Sequence, residues 1–141
     1  MKAFLDTSVL VAAAREADLR HKVSRKLLVH SKPQESACAA HTLAELYATL
    51  TGMRPPNRFS PDQAMLVLNQ VRANLHCVTL TADEVLQTTQ RMAGLKLPGG
   101  IIYDALLMSC ARKIRAERIY TWNEKHFRIV APDLAHIIVT P

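Results

Sequence analysis

The stretch KAFLDTSVLVAAA, residues 2–14, decides the fold. KAFL is short and largely apolar, the pattern of a strand buried on both faces of a sheet, and it ends on an acid, Asp6. TSVLVAAA then continues as an apolar helix, with Asp6 or Ser8 suited to cap it. A buried strand running straight into a helix is the opening unit of a parallel α/β sheet. The same alternation repeats down the chain. Strands are expected at 2–5, 36–39, 75–80, 118–122 and 137–140, and helices near 8–16, 19–31, 42–51, 61–74, 82–95 and 101–116. Ser60 with Gln63, and Thr81 with Glu84, form capping boxes, Pro61 stands at a first helical position, and Gly52 closes the third helix. The expected architecture is α/β, one domain over 1–141, three layers with a central, mainly parallel five-stranded sheet joined by right-handed crossovers.

Composition bounds the function. The 141 residues are 49% hydrophobic and 21% charged, enough to bury a core and too apolar for disorder. Eighteen Lys and Arg against 12 Asp and Glu give a net charge of +6, which favours a polyanionic partner. The three cysteines, Cys38, Cys77 and Cys110, form no C-x-x-C pair, which points to a reducing, cytoplasmic setting and against a disulfide framework. No run approaches a membrane span, and Asp6 interrupts the N-terminal apolar stretch too early for a signal peptide. The histidines are scattered, so zinc has no support. No glycine-rich phosphate loop occurs, and Trp122, Tyr103 and Phe127 are too dispersed for a stacking platform.

Three acids stand in apolar surroundings. In a parallel sheet, chemistry gathers at the carboxyl ends of the strands, where Asp6 falls. Its simpler role is to cap the helix. Glu45, in HTLAELYATL (41–50), projects opposite a stripe of Leu43, Leu46, Tyr47 and Leu50, and Thr42-x-x-Glu45 also reads as a capping box. Asp104, in GGIIYDALLMSCARKIRAER (99–118), complements the dipole at a helix start. Ile102, Ala105, Leu106, Ser109 and Cys110 make the buried side of that helix, so Asp104 shares the other side with Met108, Arg112 and Arg115. Those arginines are candidate phosphate contacts, whereas the basic run at 20–32 reads as a solvated helix face. Each acid lies near a strand-to-helix transition. Carboxylates brought together in this way suit Mg²⁺ or Mn²⁺, which take hard oxygen ligands and keep several waters.

FLDTSVLVAAA, TLAEL, IIYDALLMSCA and YTWNEKHF, in this order and at this spacing, resemble the PIN-domain ribonucleases, and among them the VapC toxins of VapBC toxin–antitoxin pairs. The resemblance covers essentially the whole chain. It implies a metal-dependent endoribonuclease with Asp6, Glu45 and Asp104 as the catalytic and metal-binding acids, supported by Thr7 or Ser8. It also implies an RNA substrate, a cognate VapB-type antitoxin and a homodimer. Asn123 stands where many members carry a fourth Asp, and its amide oxygen is a candidate ligand that adds no charge. Two other classes fit parts of the pattern. A non-catalytic PIN-fold RNA-binding or scaffold module keeps the basic face without a metal. A receiver-like domain also places Asp at a strand end, but it begins with paired acids, and here Thr7 and Ser8 follow Asp6.

Overall fold

Parallel strands need helical crossovers, and this chain supplies one or two helices between each consecutive pair. In the computed structural model, which describes all 141 residues, the order is β1 (Ala3–Leu5), α1 (Thr7–Ala14), α2 (His21–His30), β2 (Ser36–Ala39), α3 (Thr42–Thr51), α4 (Pro61–Asn74), β3 (His76–Val78), α5 (Ala82–Gly94), α6 (Ile101–Lys113), β4 (Arg118–Tyr120), α7 (Glu124–Val130), a 3-10 helix (Pro132–Ile137) and β5 (Ile138–Val139). The five strands lie in the order β3-β2-β1-β4-β5, and every pairing is parallel.

Side chains alternate across each strand and so build two cores. Phe4, Ala37, Ala39 and Ile119 face the layer that contains α5, α6 and α7. Ala3, Leu5 and Cys38 face the layer of α1, α2, α3 and α4. The result is the expected three-layer α/β/α sandwich.

Capping sets several boundaries. The Ser60/Gln63 and Thr81/Glu84 boxes are both formed. Gly52 ends α3, its N–H donating to the Ala48 carbonyl, and a Cβ at this position would meet that oxygen at 2.7 Å. β3 is shorter than its apolar pattern because Leu75 is spent as the C-cap of α4. α7 was not expected; it has seven residues and no side-chain cap. α6 also differs, because Met108 is buried and its inner face is Ala105, Leu107, Met108, Cys110 and Ala111. No helix is long and apolar enough to cross a membrane.

Candidate active site

Strand order fixes where the site lies. From β1 the chain steps outward to β2 and β3, then returns to place β4 and β5 on the other flank of β1. The sheet therefore changes direction between β1 and β4, and a crevice opens at their carboxyl ends. Asp6 follows β1 there, its N–H donating to the Tyr120 carbonyl of β4 at 3.0 Å. It is the N-cap of α1, yet capping is only part of its role. Its Oδ2 accepts from the Ser8 N–H (3.3 Å), the Ser8 hydroxyl (2.6 Å) and the Thr121 hydroxyl (2.8 Å). None of these bonds reaches Oδ1. Asp6 is 2% exposed, and this burial raises its pKa even though the hydroxyls of Ser8 and Thr121 stabilise the charge.

Glu45 enters from α3, and the capping-box reading of it is corrected. Thr42 is the first residue inside the helix, the N-cap is His41, and no side-chain capping bond forms. The Thr42 hydroxyl instead accepts from Thr7 at 3.1 Å, and Thr7 also reaches Glu45 Oε2 at 3.5 Å. Glu45 Oε1 and His41 Nε2 are buried without hydrogen-bond partners. They stand 3.4 Å apart, and burial lowers the His41 pKa, which disfavours the charged ring that an ion pair would need. Burial raises the Glu45 pKa, and the charges of Asp6 and Asp104 raise it further. Asp104, in the first turn of α6, is raised by burial and by Asp6, with His126 of α7 opposing.

Three carboxylates from three helix starts thus share one field, and no Lys or Arg pairs with any of them. Their oxygens do not close into a ready-made cage of three ligands. Beside Glu45 runs a groove of about 700 Å³, lined by His41, Val78, Leu80, Val85, Tyr103 and Leu106 among others.

The family model described as the PIN domain matches residues 3–131. The chain belongs to the PIN-domain family. This PIN domain is 30% identical over 114 residues to Ribonuclease VapC27 of Mycobacterium tuberculosis, an alignment covering 80% of this chain and 79% of that protein. Its fold matches the crystal structure of Mycobacterium tuberculosis VapC20, described as a sarcin-ricin loop cleaving toxin, with a TM-score of 0.74, 20% identity and coverage of 99% and 100% of the two chains. It also matches VapBC2 from Rickettsia felis, solved with a DNA fragment from its promoter, with a TM-score of 0.65, 22% identity and coverage of 99% and 98%.

The remaining expected residues divide. Asn123 of the PIN domain follows β4, and its N–H donates to the same Thr121 hydroxyl that holds Asp6, at 2.9 Å. Its own side chain is exposed and makes no capping bond to α7. Arg112 and Arg115, by contrast, are set apart from the acids along the chain. They follow Asp104 by eight and eleven residues, so a helix rising about 1.5 Å per residue carries Arg112 roughly 12 Å away from it. Arg112 forms a bidentate pair with Asp133 (3.0 and 3.1 Å), and Arg115 lies beyond the end of α6. Arg20 lies over the ring of Trp122, 5.0 Å from its centre. Thr121, Trp122 and Arg20 carried no site signal of their own, although YTWNEKHF contains two of them. The Trp122 N–H donates to the Ser8 hydroxyl at 3.0 Å, and its indole to Ser24 at 3.0 Å.

Proposed function

We propose that this PIN domain is a Mg²⁺- or Mn²⁺-dependent endoribonuclease, the toxin of a VapBC-type pair. The observation that carries the reading is the set of Asp6, Glu45 and Asp104, mutually repelling and unpaired by any Lys or Arg of the chain. Kinship with VapC27 supports RNA as the substrate. The donor set fits a hard divalent ion, since Glu45 Oε1 has no hydrogen-bond partner and the Oδ1 of Asp6 takes none of the three bonds held by its Oδ2. Asp6, Glu45 and Asp104 would hold the ion, with the Asn123 amide as a neutral fourth. Bound there, it would polarise a phosphoryl oxygen and make a bound water nucleophilic at neutral pH.

The chain's own residues do the positioning. Ser8 and Thr121 fix the Asp6 carboxylate, and Thr7 ties α1 to the first turn of α3, so that Asp6 and Glu45 keep their spacing. Arg20, over the Trp122 ring that follows β4, is a candidate phosphate contact, with the salt-sensitive, sequence-independent binding that such contacts give. The groove beside Glu45 has room for an unpaired RNA segment or for a segment of a VapB-type antitoxin competing with it. A homodimer belongs to the same proposal.

Incubation of the purified chain with single-stranded RNA tests the reading. Cleavage is expected with Mg²⁺ or Mn²⁺, abolished by EDTA and absent from Asp104→Asn. Equal cleavage by that variant would overturn it, and so would the lack of any cleavage by the wild type.

A further inference from the structure

Cys38 of β2 and Cys77 of β3 are register partners in a parallel pair, so their side chains leave the same face of the sheet. Neighbouring strands lie about 4.8 Å apart, within the Cα separation of about 4.4–6.8 Å that a disulfide spans. The two sulfurs stand 3.9 Å apart. β3 is the edge strand and has one neighbour only, so it can close toward β2 without displacing a strand beyond it. The two thiols differ in access, since Cys38 is buried and Cys77 is half-buried. Hydrogen bonding with the Cys38 thiol draws Cys77 below the ordinary thiol range, with burial opposing and Arg72 assisting, while the same contact and deep burial hold Cys38 up. One sulfur is thus accessible and nucleophilic, and the other waits behind it.

We propose that Cys38 and Cys77 are an oxidation site that closes to a reversible intramolecular disulfide on meeting a peroxide. The Cys77 thiolate attacks one peroxide oxygen, the O–O bond breaks, and the departing hydroxide takes a proton to leave as water. Cys77 is then a sulfenic acid. The Cys38 sulfur attacks the Cys77 sulfur, the S–S bond forms, the S–O bond breaks, and the hydroxide leaves with the Cys38 proton as a second water. Two thiols lose two electrons in total, and one peroxide becomes two waters. Closing brings the sulfurs from 3.9 Å to a bonded length of about 2.05 Å across a strand spacing that a disulfide can span. The bridge also bears on the groove. Ala40 and Val78 lie just past the two cysteines, joined by a 2.7 Å backbone bond, and both line the groove wall beside Glu45.

Peptide mapping of the folded chain after a brief, small excess of hydrogen peroxide tests this without any assay of nuclease activity. The wild type and Cys110→Ala should each yield a Cys38–Cys77 linked peptide lighter by two hydrogens, restored to free thiols by dithiothreitol. Cys77→Ser and Cys38→Ala should yield none. The proposal fails if wild-type Cys77 accumulates as sulfinic acid while Cys38 stays free. It fails equally if the main product is a Cys77–Cys77 cross-link between chains, or if all three thiols survive the peroxide.

Discussion

Glu45 and Asp6 carry the two largest consequences at the scale of single residues. Glu45 makes no capping bond, so Glu45→Gln sacrifices only a favourable charge at the start of α3, on the order of 0.3–1 kcal/mol, and relieves its repulsion with Asp6 and Asp104. The melting temperature of the variant should stay within a few degrees of wild type, on the order of 2–4 °C per kcal/mol, while metal-dependent RNA cleavage falls at least tenfold. Thermal melts and a cleavage time course check both halves. Asp6→Asn keeps an N-cap side chain and removes a buried charge. Because burial raises the Asp6 pKa, the folded protein binds this proton more tightly than the unfolded chain does. The carboxyl therefore loses stabilising effect as pH climbs from the ordinary carboxylate range through its raised value. In the absence of metal, the Asn variant should melt higher than wild type by a margin that widens across that window and then holds. Melting curves from pH 3 to pH 8 measure it, and a gap that narrows with rising pH would contradict it. The sequence made Asp6 legible because an acid directly after a buried strand is costly unless it is bonded. It left Glu45 ambiguous, since Thr42 and Glu45 have capping-box spacing and only the fold turns the Thr42 hydroxyl toward Thr7.

The end of β4 acts as an element rather than as separate residues. Thr121 donates to Asp6, accepts from the Asn123 N–H, and is fully buried. Thr121→Val strips both bonds and leaves the buried Asp6 carboxylate short of a partner, a loss of about 1–3 kcal/mol. Thr121→Ser restores the hydroxyl and should recover most of the stability and the cleavage rate, which chemical denaturation alongside an activity assay would show. Asn123→Asp places a charge one hydrogen bond further along. If the amide belongs to the site, Mn²⁺ should raise the melting temperature of the Asp variant more than that of wild type, by mass-action linkage. Equal shifts would remove Asn123 from the site. The apolar periodicity revealed most helices and strands to within a few residues. It did not reveal α7, which is short and has no side-chain cap, nor the buried side of Met108, because α6 packs against both the sheet and α7 rather than against a single layer. Thr121 had no signal, since its role depends on the register that sets β4 beside β1.

At the scale of the molecule, the site is a product of strand order. Asp6, Glu45 and Asp104 are separated by 39 and 59 residues in the chain. They converge because β4 returns to the flank of β1, and because α3 and α6 each begin near the carboxyl edge of the sheet. That convergence could be inferred only from the ordered set of motifs, not from any one of them. The +6 charge of the chain does not reach the acids as an ion pair: Arg112 is held by Asp133 and Lys113 by Glu84. The central claim is that these three carboxylates form one divalent-cation site. Calorimetric titration of Mn²⁺ into the wild type, Asp6→Asn, Glu45→Gln and Asp104→Asn tests it most directly. Saturable binding by the wild type, weakened at least tenfold in each variant while the fold is retained, is the predicted result. Undiminished affinity in Asp104→Asn, or no saturable binding by the wild type, would contradict it.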